Sequence, residues 1–348
     1  MQNSILYTIK LGGINERIFD IKKLITSILS NTYYNNFEIH IHYEDNVKNE
    51  IQSYITNLDK HNIICFKYKK CSWYSWLKKS FISAENFNYL ITLHSDCYFI
   101  SKYFDKKIVN ELKDIDNLGV FTLFDESFKS GFFYPQFRDG FFKDQIEKRK
   151  FATQSEYHNQ KDNWHIFNVR LKKLLNFSKF PKSINSKLFQ LFSRLDLEKM
   201  DFPKKKVKTS GIFSHLIGFK SKNLRFFSDI TNLDISHGLY ADEDICWLSL
   251  KNELLNVFIP NVSFYHFRPS LGKTRSGYYI MRDFKKVQKI FYEKWNFLPA
   301  EWLNTDHYSK HISINETNEI IKKIEKIHGK SLSWSKDYYS FDWEKLYI

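Results

Sequence analysis

Glycine, proline and cysteine are scarce in this sequence. The 11 glycines and 6 prolines most simply reflect an AT-rich genome that favours Lys, Asn, Ile, Tyr and Phe, and we draw no functional inference from them. The 4 cysteines, at positions 65, 71, 97 and 246, form neither a C-x-x-C pair nor a metal-binding spacing. This pattern predicts reduced thiols in an intracellular protein.

Long apolar runs and a secretion signal are also missing. No apolar stretch approaches the ~20 residues that a membrane span needs. The first residues lack the charged region and the small-residue cleavage site of a signal peptide. We therefore expect a cytoplasmic protein, in which any membrane contact is peripheral and at the inner face.

Hydrophobic and basic residues, in contrast, are abundant. A hydrophobic fraction of 43%, including 18% aromatic residues, excludes a disordered chain and permits a substantial core. The 348 residues suffice for one large domain with additions or for two domains. The net charge of +14 indicates an acidic partner, and by itself leaves open nucleic acid, anionic lipid or phosphorylated substrates.

The first hundred residues alternate between strand and helix patterns. Apolar or alternating runs predict strands at residues 5–9, 37–43, 63–68 and 88–93. Helical spacing of apolar residues predicts one helix from Arg17 to about Asn31 and another around residues 74–84. Strands and helices that alternate at these spacings predict an α/β fold with a parallel sheet.

The fourth predicted strand ends in His94-Ser95-Asp96. Ligands of open α/β sheets gather at the carboxyl ends of such strands. An imidazole and a carboxylate side by side at this edge are suited to a metal ion and a phosphate. The alternative is a plain strand-to-turn junction in which Asp96 only forms the turn.

The second half of the sequence is less regular. Strand-like runs at 120–123, 212–219 and 256–260 surround a basic insertion, about residues 126–208, which begins with an aromatic segment at 132–142. The insertion is either a solvated face or a patch for anionic headgroups or a phosphorylated carrier. Ile245 and Leu248 predict a helix at 241–250, whose first turn holds Asp242, Glu243 and Asp244 as caps or as functional acids. Further helices are predicted at 283–295 and near 319–327.

Four segments together resemble the family 2 glycosyltransferases and their GT-A-fold relatives, which transfer a sugar from a nucleotide-diphosphate donor. Residues 24–45 are similar to that family's first helix and second strand, and LHSDC at 93–97 is similar to its DxD segment. ADEDICWLSLK at 241–251 resembles its Glu-Asp motif, and residues 283–296 resemble the helix ending in Lys-Trp that follows the catalytic domain. The resemblance covers residues 5–125 and 208–296.

The resemblance implies a GT-A (Rossmann-like) fold, with a mostly parallel twisted sheet flanked by helices. It implies that residues 1–275 form the nucleotide-sugar-binding catalytic domain, which carries the insertion at about 126–208. Residues 276–348 would then be a C-terminal helical extension.

The resemblance further implies a metal site. Asp96 would bind a divalent cation, Mn²⁺ or Mg²⁺, that neutralises the donor diphosphate as the sugar–phosphate bond breaks. His94 stands where the family usually has its first Asp, and its imidazole would bind Mn²⁺ or contact the donor ribose, which weakens the case for Mg²⁺. His266 matches the third ligand of some GT-A enzymes, or else is a structural histidine in an aromatic cluster.

Catalysis is implied at the Glu-Asp motif. Asp244 resembles the base that takes the proton of the acceptor hydroxyl, while Glu243 would orient it or contact the acceptor. A single base attacking opposite the leaving diphosphate inverts the anomeric centre. Asp242 is expected to cap the helix.

Donor contacts are implied by three further sets of residues. Glu44 and Asp45 match acids that contact the base or ribose, with Thr8 as a weaker neighbour. A loop that resembles a mobile cover over the donor holds cations that would clamp the diphosphate, or are ordinary exposed charges: Arg268, Lys273 and Arg275. Trp73, Trp76 and the aromatics of 132–142 either stack on sugar rings or belong to the core.

The favoured prediction is an inverting, metal-dependent, family 2-like glycosyltransferase of the hexosyltransferase type, acting in the synthesis of a surface polysaccharide or glycoconjugate. Its partners would be a nucleotide sugar, a glycan or lipid-linked acceptor and, through the basic insertion, an anionic membrane. One alternative is a catalytically degenerate GT-A module that binds glycans or partners. The other is a basic nucleic-acid-binding protein, and the lack of any nucleic-acid motif speaks against it.

Overall fold

The computed structural model describes residues 3–12, 16–58, 62–126, 132–133, 204–209, 211–212, 215–230 and 241–266, together with residues 290, 294 and 348. One compact unit comprises residues 1–132, 203–268 and 347–348. Residues 134–203 of the insertion and the helix predicted at 319–327 lie outside the described residues, as does the helix predicted at 283–295 apart from residues 290 and 294. The proposed division into domains at residue 275 stays a prediction.

The described strands and helices follow the predicted alternation. The strands are β1 (Ile5–Leu11), β2 (Phe37–Glu44), β3 (Ile63–Tyr68), β4 (Tyr89–His94), β5 (Cys97–Phe99), β6 (Leu118–Asp125), β7 (Phe132–Phe133), β8 (Val207–Lys208), β9 (Gly211–Ile212), β10 (Leu216–Lys220) and β11 (Leu255–His266). The helices are α1 (Ile18–Asn31), α2 (Asn49–Thr56), α3 (Trp73–Ser83), α4 (Phe104–Leu112) and α5 (Ala241–Lys251), with 3₁₀ turns at Ala84–Asn86 and Ser221–Phe227.

A nine-stranded mixed sheet organises these elements in the order β3-β2-β1-β4-β10-β6-β11-β5, with β8 paired to β11. Strands β1 to β4 are parallel, and β11 is parallel to β6. β10 runs antiparallel between β4 and β6. β5 and β8 run antiparallel to β11. The mostly parallel sheet that the sequence predicts is therefore confirmed, and the reversed strands β5, β8 and β10 are features that periodicity did not indicate.

β1 is an interior strand of the sheet, between β2 and β4. Six of its seven residues are buried, as expected for a central parallel strand. The ring of Tyr7 packs edge-on against Phe99 and Phe104, and these two rings stack on each other with centroids 3.6 Å apart. One aromatic cluster thus joins β1, β5 and α4.

Two helices were missed in the sequence. α2 buries only Ile51 and Ile55 and is short. α4 buries apolar residues at helical spacing. It follows a turn in which Tyr103 has a positive φ of 54°. Asp105, fully buried in this helix, accepts hydrogen bonds from the backbone N–H groups of Tyr33 and Tyr34, and so anchors the segment that follows α1.

The last strand is longer than predicted. Pro260 suggested an end near residue 260, yet β11 continues to His266. The pairing with β6 shifts register between Ile259 and Ser263, and such an irregularity tolerates a proline that cannot donate a ladder hydrogen bond. Beyond it, Phe264 and His266 pair with β5. The correction matters because it carries His266 to the neighbourhood of Asp96.

Other expectations concern cysteines and membranes. All four cysteines lie in described segments, and none of them forms a disulfide, as the sequence predicts. Within the described ranges, none of the helices has the length and apolar character required to cross a bilayer.

Candidate metal-binding active site

Polar side chains from four strands meet at one edge of the sheet. His94 ends β4, Asp125 ends β6 and His266 ends β11, so all three lie at carboxyl ends of parallel strands. His215 immediately precedes β10, and because β10 is antiparallel, its beginning lies at this same edge. The backbone N–H of His94 donates to the carbonyl of His215 at 3.0 Å.

The predicted ligands come together here. His94, Asp96 and His266 each place a ligand atom within 4.8 Å of the other two. Nε2 of His266 lies 3.1 Å from Oδ1 of Asp96. Burial, the largest influence, raises the pKa of Asp96, but the hydrogen bond and charge of His266 and the charge of His94 outweigh it. The net pKa is lowered, which favours the carboxylate form that a cation needs.

A second group adjoins the first and was missed in the sequence. Asp125, His215 and His266 also place ligand atoms within 4.8 Å of one another. Nδ1 of His215 lies 3.4 Å from Oδ2 of Asp125, and the rings of His215 and His266 are 3.9 Å apart. The carboxyl-end rule applied to the predicted strand at 120–123 would have indicated Asp125. His215 had no signal, since it lies inside a run predicted as strand.

The donor set fits a divalent transition metal. Two imidazoles and one carboxylate are typical ligands of Mn²⁺, Fe²⁺ or Zn²⁺, whereas Mg²⁺ prefers oxygen ligands and retained waters. The buried and half-buried positions of His94, Asp96 and His266 also limit competition from water.

A half-buried acid, Glu16, supports the turn that carries Asp96. Ser95 donates a hydrogen bond to Oε2 of Glu16, and the other carboxylate oxygen accepts from the backbone N–H of Gly12 at 3.5 Å. Burial raises the pKa of Glu16, and the hydrogen bonds from Ser95 and Gly12 partly oppose this. Glu16 therefore connects the segment after β1 to the turn that carries Asp96, and no local sequence pattern indicates this connection.

Helix α5 brings its acidic first turn toward this edge. Ser249, late in α5, packs over Gly119, early in β6, so closely that a Cβ on Gly119 would overlap it. Leu255 then pairs with Leu118 after a short connection, so α5 runs antiparallel to β6. Asp244 precedes Ser249 by five residues in α5, and it is buried. The side chain of Glu243 lies outside the described residues.

The acids at the end of β2, Glu44 and Asp45, contact neighbouring groups. Oε1 of the buried Glu44 accepts from the backbone N–H of Cys71 at 3.1 Å and lies 3.5 Å from Nζ of Lys10. Asp45 is half exposed and pairs with Lys67 at 3.2 Å. Glu44 is the last residue of β2, the strand beside β1, and Asp45 follows it. The contact of both acids with a donor stays a prediction.

The side chains of Thr8, Trp73 and Trp76 contact other side chains in the protein interior. The fully buried hydroxyl of Thr8 accepts from Nε1 of Trp76 and lies 2.9 Å from the hydroxyl of Ser80. Trp76 is buried and packs edge-on against Trp73, which is also buried. These contacts join α3 to β1 and correspond to the core alternative for the two tryptophans.

Two further sets of predicted site residues lie outside the described residues. They are the candidate donor clamp, formed by Arg268, Lys273 and Arg275, and the aromatic segment beyond Phe133.

Comparison with known proteins gives matches only among solved structures. No protein-family model matches the chain, and no curated protein matches it. GalNAc-T7, solved with UDP, GalNAc and Mn²⁺, superposes with a TM-score of 0.50 and 12% identity, over 90% of this chain and 58% of that chain.

Two further structures are similar at lower scores. Mannosyltransferase PcManGT from Pyrobaculum calidifontis, solved with GDP-Man and Mn²⁺, has a TM-score of 0.47 and 10% identity, over 95% of this chain and 77% of that chain. S. aureus TarS 1-349 has a TM-score of 0.45 and 10% identity, over 93% and 71%. The likeness to GalNAc-T7 shows the fold, and the predicted GT-A fold is confirmed.

Proposed function

We propose that this GT-A-fold protein is a metal-dependent glycosyltransferase that moves a sugar from a nucleotide-diphosphate donor to a hydroxyl group. The observation that carries the proposal is the convergence of His94, Asp96 and His266 at the carboxyl edge of the sheet. GalNAc-T7, which shares the fold, was solved with a nucleotide and Mn²⁺, and this supports the same class of ligand here.

The cation would be held by His94, Asp96 and His266, and Mn²⁺ suits these ligands better than Mg²⁺. When bound, it supplies positive charge against the diphosphate leaving group. Glu16 holds Ser95 and thereby keeps the two flanking ligands in place. This arrangement orients the ligands before a donor arrives, which lowers the cost of binding.

We assign donor recognition to the carboxyl ends of β1 and β2 and to the loop that holds Arg268, Lys273 and Arg275. Glu44, fixed by Cys71 and Lys10, presents a carboxylate suited to a base N–H or ribose hydroxyl. Asp45 would make a second contact of this kind. Arg268, Lys273 and Arg275 would clamp the diphosphate, because guanidinium and ammonium groups form strong hydrogen bonds to phosphate oxygens.

Asp244 is the proposed base. A carboxylate in the first turn of a helix that points toward the metal edge is suited to accept the acceptor's proton as its oxygen attacks the anomeric carbon. Attack from the face opposite the diphosphate inverts that carbon. Glu243 would orient the base or hold the acceptor.

The acceptor is proposed to be a glycan or glycolipid, as for a family 2-like hexosyltransferase in surface polysaccharide synthesis. The basic residues of the insertion would contact the anionic surface on which a lipid-linked acceptor lies.

The experiment is a thermal-shift panel of nucleotide sugars with and without Mn²⁺, followed by turnover assays on Asp96→Asn and Asp244→Asn. A bound donor raises apparent stability by mass action, and the rise should require Mn²⁺. Asp96→Asn should lose the shift and the turnover. Asp244→Asn should keep the shift but lose turnover by about 100-fold or more, the usual contribution of a general base.

The matched control is Asp116→Asn, since the side chain of Asp116 is 88% exposed and, within the described part of the chain, its carboxylate pairs with Lys220 and Lys222. It should retain both signals. Wild-type turnover in Asp96→Asn or Asp244→Asn, in protein that melts normally, contradicts the assignment.

A further inference from the structure

His266 belongs to two ligand groups at once. On one side it meets His94 and Asp96, and on the other it meets His215 and Asp125. Within each group the ligand atoms lie within 4.8 Å of one another, a spacing that a single divalent cation can bridge. We call the first group the outer position and the second group the inner position.

The two positions differ in exposure. The side chain of Asp96 in the outer position is 20% exposed, whereas that of Asp125 in the inner position is fully buried. His215 is 14% exposed at its side chain. The buried carboxylate of Asp125 lies beside the imidazoles of His215 and His266, and this set of three donors suits a transition-metal cation.

We propose that Asp125, His215 and His266 form a second cation position and that one ion occupies either the inner or the outer position. Both sets contain two imidazoles and one carboxylate, so they suit the same transition-metal ions. The inner ion is shielded from water, and the outer ion is the one that a phosphate oxygen can reach; this last role rests on the proposed function.

Simultaneous occupation is disfavoured by the chemistry of His266. A neutral imidazole has one nitrogen with an available lone pair, because the other nitrogen carries the proton. Two ions would therefore require the ring of His266 to lose its remaining N–H proton and become an imidazolate, or would have to share one lone pair. We therefore expect one ion per chain, in either the inner or the outer position.

The test measures Mn²⁺ binding to the full-length protein in the absence of nucleotide. The EPR signal of free Mn²⁺ monitors this binding. If one ion occupies only one of the two positions at a time, the association constants of the two positions add. Removal of one of two equal positions should therefore weaken Mn²⁺ binding only about twofold. Asp96→Asn and Asp125→Asn should each still bind one ion. The double variant should bind none, and neither should His266→Gln.

A second pair of variants guards against misfolding at the buried Asp125. His94→Gln removes an outer ligand only and should match Asp96→Asn, while His215→Gln removes an inner ligand only and should match Asp125→Asn. Asp116→Asn is the exposed control and should bind as the wild type does.

Complete loss of Mn²⁺ binding in Asp96→Asn or His94→Gln would show a single outer position and overturn the proposal. Two ions bound to the wild type at saturation would overturn exclusive occupation. Because no donor or acceptor is present, the outcome is independent of whether the protein transfers sugar. A protein that binds one ion in both single variants but turns over no nucleotide sugar would fail only the proposed function.

Discussion

His42 should make the protein less stable in mild acid. Its ring is 1% exposed and stacks on Phe66, with centroids 4.8 Å apart, and Nδ1 lies 3.1 Å from the hydroxyl of Tyr68. Burial, followed by the nearby positive charges of His40 and Lys79, lowers the pKa of His42 to about 3. The folded protein therefore keeps this imidazole neutral far below the pH at which the unfolded chain protonates it.

The sign and size follow from linkage. Between pH 6.5 and about 3 the unfolded state binds one more proton at His42, so stability falls as the pH falls through this window. The slope approaches about 1.4 kcal/mol per pH unit, and the loss between pH 7 and pH 5 is about 2 kcal/mol. Above pH 6.5 the residue is neutral in both states and contributes no slope.

The assay compares urea unfolding of the wild type and His42→Phe at pH 7, 6 and 5. Phe keeps a flat ring beside Phe66 but cannot be protonated, so the variant should lose about 2 kcal/mol less than the wild type. Tyr68→Phe removes the hydroxyl contact and retains the imidazole, so it should keep the wild-type pH dependence. Equal losses in wild type and His42→Phe, or an NMR titration of His42 near pH 6.5, would refute the reasoning.

Three further substitutions test the packing described above, each by urea unfolding. Asp105→Ala removes the acceptor of the partly buried backbone N–H groups of Tyr33 and Tyr34 and should lower the free energy of unfolding by about 3 kcal/mol; a loss below 1 kcal/mol would contradict this. Thr8→Val removes the acceptor of the Trp76 indole N–H and should cost about 1–2 kcal/mol, while Thr8→Ser should restore most of it. Gly218→Ala would press a Cβ into the ring of Phe121 and should cost about 2 kcal/mol, and a second change, Phe121→Leu, should relieve part of that cost.

Local patterns were sufficient for the first part of the fold. Strands β1 to β4 and helices α1 and α3 lie within a few residues of the predicted positions, because each has a clear apolar period of its own. α2 was missed, since it buries only two apolar residues. The end of β11 was predicted too early because Pro260 usually marks a strand end, and the register shift that accommodates it depends on pairing with β6.

The candidate site likewise contains residues that the sequence predicts and residues whose role depends on tertiary structure. His94 and Asp96 could be predicted, since they follow a buried strand within one short segment. The role of His215 could not, because it depends on the antiparallel direction of β10 between β4 and β6. The hydrogen bond from Ser95 to Glu16 likewise joins residues 79 positions apart, and no local period indicates it.

The sequence by itself determined the alternation of strands and helices, the mostly parallel sheet and the edge at which ligands collect. The periodicity of burial fixes these features within each segment. Only the tertiary structure decided which histidines and aspartates meet at that edge. Strand order, strand direction and the irregularity at Pro260 bring His215, Asp125 and His266 together, and these depend on pairing between segments far apart in the chain.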